Sequence, residues 1–231
     1  MNDRAFAGVL SRRQELAELG VFLLVLVPPL VLSFFAAGQS TASFPLLAGA
    51  TIARDVSLVA LVLLLLARAR QPVAAVGWVG RAAGREIALG VALSIPVLVG
   101  TQALDLALRN AGLSGPPPSG TGLTPTPGSG GLLLAVVLVA VVAVAEETIF
   151  RGYLILRIAG VFRSRWLAVL LSSVIFSVGH GYEGSAGVLT VAVTGLVFAA
   201  VYVWRRSLVA PVVMHFLLDF LAIVVAPLLL R

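Results

Sequence analysis

Apolar residues run along this chain in long uninterrupted stretches. They show neither the alternation of a half-buried strand nor the one-sided stripe of a soluble helix. Seven stretches stand out, at roughly 17–37, 45–67, 86–108, 131–158, 166–181, 186–204 and 208–230. Most approach the ~20 residues that cross a bilayer core as a helix. Their apolar faces continue all the way round, as lipid-embedded helices require. The pattern predicts an all-α, polytopic membrane bundle of seven or eight transmembrane helices. An eighth would need 150–161 to be a separate element, and about eleven residues are too few to span alone. That piece reads as a continuation of the fourth helix or a short interfacial one.

Composition sharpens this picture. Of 231 residues, 60% are hydrophobic and 11% charged, and the mean hydropathy is +1.09. A soluble domain is nearer half apolar and a quarter charged. These values exclude a soluble enzyme, a disordered chain and a nucleic-acid binder. The net charge of +6 comes from 16 cations scattered between apolar runs, which act as topology signals rather than a phosphate-binding patch. All of them are Arg, a composition that hints at a GC-rich bacterial genome. There is no Cys, hence no disulfide framework, thiolate metal site or cysteine nucleophile.

The arginines set an expected orientation. Arg4, Arg12 and Arg13 precede the first span, with Asp3, Glu15 and Glu18 among them. Arg68, Arg70, Arg81 and Arg85 follow the second span, Arg157, Arg163 and Arg165 the fourth, and Arg205 and Arg206 the sixth. The alternate loops hold almost none. The positive-inside rule then puts the N-terminus in the cytoplasm and the C-terminus outside a cell membrane. The stretch 109–130 is rich in Pro, Gly, Ser and Thr and reads as a flexible external loop. It divides a leading three-helix half, 1–108, from the motif-bearing helices of 131–231. No internal repeat is apparent, which weakens a proton-coupled transporter reading.

Polar groups are costly in lipid, so the few inside the spans carry the information. Arg54, Asp55 and Asp105 lie in the leading half. Arg54 and Asp55 are adjacent, about 100° apart on a helix, and are expected to pair with neighbouring helices rather than with each other. The fourth span carries Glu146 and Glu147, with Arg151 at i+4 from Glu147. Two adjacent carboxylates at membrane depth cannot both ionise cheaply. The expectation is Glu147 neutralised by Arg151, and Glu146 without a local partner and poised as a general base. The chain's two histidines are His180, ending "FSVGH", and His215, opening "HFLLD" with Asp219 at i+4. Three late helices thus each carry one polar set, which points to a shared cavity for water, metal, protons or substrate.

Together the motifs become recognisable. Glu146, Glu147 and Arg151 fit E-E-x-x-x-R, Phe176 and His180 fit F-x-x-x-H, and His215 and Asp219 fit H-x-x-x-N/D. In this order on successive late helices they resemble the CPBP family, which comprises the CAAX prenyl endopeptidases and the bacteriocin-processing, Abi-type membrane proteins. The resemblance covers roughly 75–225, and residues 1–70 add only generic membrane helices. It implies an intramembrane endopeptidase acting on a membrane-associated protein or peptide. By analogy Glu146 is the base that activates water and His180 helps hold that water. His215 and Asp219 position or stabilise the oxyanion, and Glu147 and Arg151 support Glu146. Phe176 packs and shapes the cavity. Asp219 stands where better-characterised relatives carry Asn, and an ionised Asp cannot donate to an oxyanion.

The resemblance implies no cofactor and, as partners, the lipid bilayer and a peptide or protein substrate. It leaves the oligomeric state open. An alternative is a zinc-dependent protease with Glu146, His180 and His215 as ligands, although no H-E-x-x-H helix is present. Another is a non-proteolytic scaffold or immunity protein of the same fold.

Overall fold

The computed structural model describes residues 10–36, 42–80, 82–116, 124–125 and 128–229. Asp3, Arg4, Arg81 and, in the Pro/Gly-rich stretch, residues 117–123 and 126–127 lie outside the described residues. Seven principal helices follow one another among the described residues. They are α1 (Arg12–Ala36), α2 (Phe44–Arg68), α3 (Ala83–Asn110), α4 (Ser129–Phe162), α5 (Arg165–Val178), α6 (Gly184–Arg205) and α7 (Val209–Leu229). No strand occurs among the described residues.

Six of these helices are long and apolar enough to cross a membrane. The exception is α5. It has 14 residues, a length of about 21 Å, short of the ~30 Å hydrocarbon core. The expected seven long spans are therefore six long ones and one short one. Ser164 caps the start of α5 by accepting from the Leu167 amide, and the Gly179–His180–Gly181 sequence ends it. His180 therefore sits in the turn after α5, not inside the expected 166–181 span. The 150–161 segment forms no separate span and continues α4 to Phe162.

Two helices are locally widened. In α4, Glu147–Leu154 is π-helical, and in α7, Phe220–Val225 is π-helical. Each widened turn begins at or just after a carboxylate of the motif set. A π turn disturbs the regular backbone ladder, and such turns recur at functional sites. The Phe150 carbonyl accepts from Ser172 Oγ of α5 at 2.5 Å. Trp78 Nε1 donates to Thr148 Oγ1 at 3.0 Å, which ties the α2–α3 connection to the same turn.

The largest apolar cluster joins α1, α2, the second half of α4, α5 and α6 through Phe22, Val62, Tyr153, Ile155, Val169 and Tyr202. A second cluster of Phe44, Ala48, Ala135, Leu138 and Val224 packs the first half of α4 between α2 and the end of α7. α3 packs along α7, and Gly90 permits the approach: a Cβ there would lie 2.8 Å from the Ala210 carbonyl oxygen.

Charges at the helix ends are tied down. Arg157 is fully buried and meets Glu18 at 2.8 Å, Glu15 at 3.3 Å and Gln71 at 2.8 Å. Arg205 meets Glu86 at 2.6 Å. Read from sequence as a loop cation, Arg157 instead clamps α1 and the α2–α3 connection to α4. The stretch after α3 also starts anchored: Ser114 and Ser185 exchange backbone and hydroxyl hydrogen bonds of 3.0–3.1 Å.

Candidate active site

The polar set of α4 meets that of α7 in the middle of the bundle. Glu147 is wholly buried. Its Oε1 lies 2.9 Å from Arg151 Nη1 and accepts from His215 Nδ1 at 2.8 Å. Arg151 is buried as well, and its guanidinium lies over the Phe176 ring at 4.1 Å and near the Phe198 ring at 5.3 Å. A bare α6 backbone leaves room for it: a Cβ on Gly195 would lie 3.3 Å from Arg151 Nη2 and 3.2 Å from Phe176.

This arrangement fixes the imidazole. With Nδ1 bound to a carboxylate, the other nitrogen is turned away from the ion pair. His215 Nε2 lies 3.4 Å from Asp219 Oδ2 and 3.8 Å from Glu146 Oε2. Three ionisable groups, His215, Glu146 and Asp219, therefore share one small space. Glu146 is 13% exposed and Asp219 29% exposed at the side chain, so this space lies toward the surface of the bundle while Glu147 and Arg151 close it behind. Glu146 Oε2 is itself buried and has no hydrogen-bond donor from the described chain.

Five of the sequence-predicted residues thus come together directly: Glu146, Glu147, Arg151, His215 and Asp219. Phe176 is the sixth, and its ring touches three of the polar groups. It lies under Arg151, 6.0 Å from the His215 ring and 4.8 Å from the His180 ring. His180 joins through that ring. Its Nδ1 faces the Phe176 carbonyl oxygen at 3.2 Å, and its ring lies 5.8 Å from Tyr182.

The sequence expectation has the Glu147–Arg151 pair supporting Glu146; in the structure Glu147 also accepts from His215 Nδ1 at 2.8 Å. Among the described residues no group of three or more His, Cys, Asp and Glu side chains is placed to hold a metal ion.

Two further residues belong to the site. Arg54 of α2 donates from Nε to Asp55 Oδ1 at 2.8 Å, and its Nη2 lies 2.8 Å from the same oxygen. That corrects the expectation that neighbours 100° apart cannot pair, because the long Arg side chain folds back along the helix. The same Nη2 lies 3.7 Å from Glu146 Oε1. The leading helices are therefore more than generic. The signal in the sequence is a charged pair in mid-span. Asp105 pairs with Arg109 one turn on along its own helix, at 2.8 Å.

Residues 128–221 match the family model described as type II CAAX prenyl endopeptidase Rce1-like. The matched segment begins just before α4 and ends two residues after Asp219, so it holds all three motifs and excludes Arg54 and Asp55. The match agrees with the resemblance to CPBP proteases carried by those motifs. No curated protein and no solved structure matches the chain.

Proposed function

We propose, from the family match over 128–221 and the geometry it encloses, that this multi-pass membrane protein is an endopeptidase that hydrolyses a peptide bond with a glutamate-activated water. The carrying observation is that Glu146 Oε2 and His215 Nε2 face one another at 3.8 Å while Glu147 holds the opposite side of the imidazole at 2.8 Å. Glu146 takes a proton from water as the water oxygen attacks the scissile carbonyl carbon. A protonated His215 Nε2 donates to the oxygen that becomes negative. Glu146 then passes its proton to the departing amine as the C–N bond breaks, which returns the carboxylate.

Asp219, whose Oδ2 lies 3.4 Å from the same nitrogen, orients the imidazole, a role an acidic side chain fills without donating to the oxyanion. His180, seated on Phe176, is assigned to help hold the water. The substrate is a membrane-associated protein or peptide. The N-terminus lies in the cytoplasm, as the arginine distribution predicts.

The test is peptide cleavage by the purified protein in nanodiscs, wild type beside Glu146→Gln, each with and without a strong chelator. The proposal expects cleavage that survives chelation and falls at least ~10²-fold in Glu146→Gln, the scale of a lost general base. Activity lost on chelation and restored by zinc would replace this mechanism with a metal-dependent one. A folded wild type that cleaves no member of a broad peptide library would favour the scaffold reading.

A further inference from the structure

Asp55 is buried, at 1% exposure, in the middle of α2. Its Oδ1 is gripped by two atoms of the Arg54 guanidinium at 2.8 Å each. This pair by itself joins nothing, since its members are neighbours on one helix. What crosses from α2 to α4 is the 3.7 Å approach of Arg54 Nη2 to Glu146 Oε1. The two oxygens of Glu146 therefore face different partners: Oε1 faces Arg54, and Oε2 faces His215. Arg151, the other arginine of the site, pairs with Glu147 instead. Among the described residues, Arg54 and His215 are the basic side chains within ion-pair distance of Glu146.

We propose that Arg54 is a positioning residue for catalysis: it holds Glu146 by Oε1 so that Oε2 faces His215 and the reacting water, and Asp55 fixes the guanidinium in turn. The inference rests on the peptidase reading and extends it to α2, outside the matched segment. A carboxylate free to rotate spends less time in the reactive geometry, and misplacement by about 1 Å costs on the order of 10²-fold in rate. The role predicts a change in turnover and little change in substrate binding.

The test uses full-length protein in nanodiscs and a mass-spectrometric peptide library from which one peptide cleaved by the wild type is chosen. Arg54→Ala strands Asp55, so the decisive variant is Arg54→Gln with Asp55→Asn, which replaces the ion pair by a neutral, hydrogen-bonding one. It is expected to unfold at the wild-type temperature, to lose about 10- to 100-fold in kcat, and to keep KM within about 3-fold. Arg54→Lys should recover part of kcat, because the cation returns without its fixed fork.

Wild-type kcat in the neutral double variant overturns the inference. So does a loss confined to KM, which would make Arg54 a substrate contact. If Glu146→Gln abolishes cleavage while the double variant is intact, only the role of Arg54 falls. Should Glu146→Gln cleave as the wild type does, the peptidase reading of Glu146 falls first. A wild type that cleaves no library member counts against both.

Discussion

Removing Arg151 tests the core of the site most sharply. Arg151→Met leaves Glu147, with no exposed surface, without its 2.9 Å partner. Breaking a buried pair by deleting one member costs about 3–5 kcal/mol. The guanidinium also stacks on Phe176 at 4.1 Å, and a desolvated cation–π contact of that kind adds about 1–2 kcal/mol. His215 stays on the stranded carboxylate at 2.8 Å and limits the damage. The expected loss is therefore about 3–5 kcal/mol, or roughly 6–20 °C in the unfolding midpoint at 2–4 °C per kcal/mol for a chain of this size. Glu147→Gln should cost about as much, because it strands a buried guanidinium. Combined, the two substitutions remove both charges and should recover at least ~2 kcal/mol of the summed loss. Thermal unfolding of the four proteins in one detergent gives the cycle. The double variant should nevertheless cleave poorly, since Gln no longer offers His215 a charged acceptor. An Arg151→Met protein within about 0.5 kcal/mol of the wild type, a shift typical of an exposed site, would refute the reasoning.

The other expectations are simpler. His215→Gln should lower turnover as strongly as Glu146→Gln while costing less stability than Arg151→Met, which paired activity and unfolding measurements resolve. Gly195→Val should reduce stability by about 1–3 kcal/mol, because side-chain atoms would enter the space of Arg151 and Phe176; Gly195→Ala should cost less. Arg157→Met should destabilise by about 3–5 kcal/mol by stranding Glu15 and loosening α1 from α4, seen as easier proteolysis of the N-terminal helix in detergent.

Helix number and placement were legible because lipid leaves so few options: a run of twenty apolar residues has to be a helix. The triad of motifs was legible for the same reason, since a carboxylate or imidazole in such a run stands out. Three things escaped. Arg54 reaches a neighbouring helix as expected, but its pairing with Asp55 escapes because ideal helix angles ignore how far an Arg side chain can bend. Arg157, Glu15 and Glu18 lie near helix ends, where charges usually mark topology, and nothing in their spacing says that they meet. The i+4 spacing reveals Arg151 as a partner of Glu147, at 2.9 Å, but not the second partner, His215, which lies 68 residues away. Distance in sequence hides such contacts, and only the packing of α4 against α7 supplies them.

The widened turn at Glu147–Leu154 carries a consequence for the phase of its helix. An extra residue in one turn rotates everything beyond it by about 100° relative to what precedes it. Ahead of the turn α4 addresses α2 and α7; behind it the same helix addresses α1 and α5. One continuous rod thereby serves two sets of neighbours with two apolar faces, and the change of face falls on the residue that grips His215. Deleting a single residue there would restore a regular helix and still ruin the molecule. Tyr153, Arg157 and Gly160 would swing away from α1 together, and no single compensating side chain could bring them back.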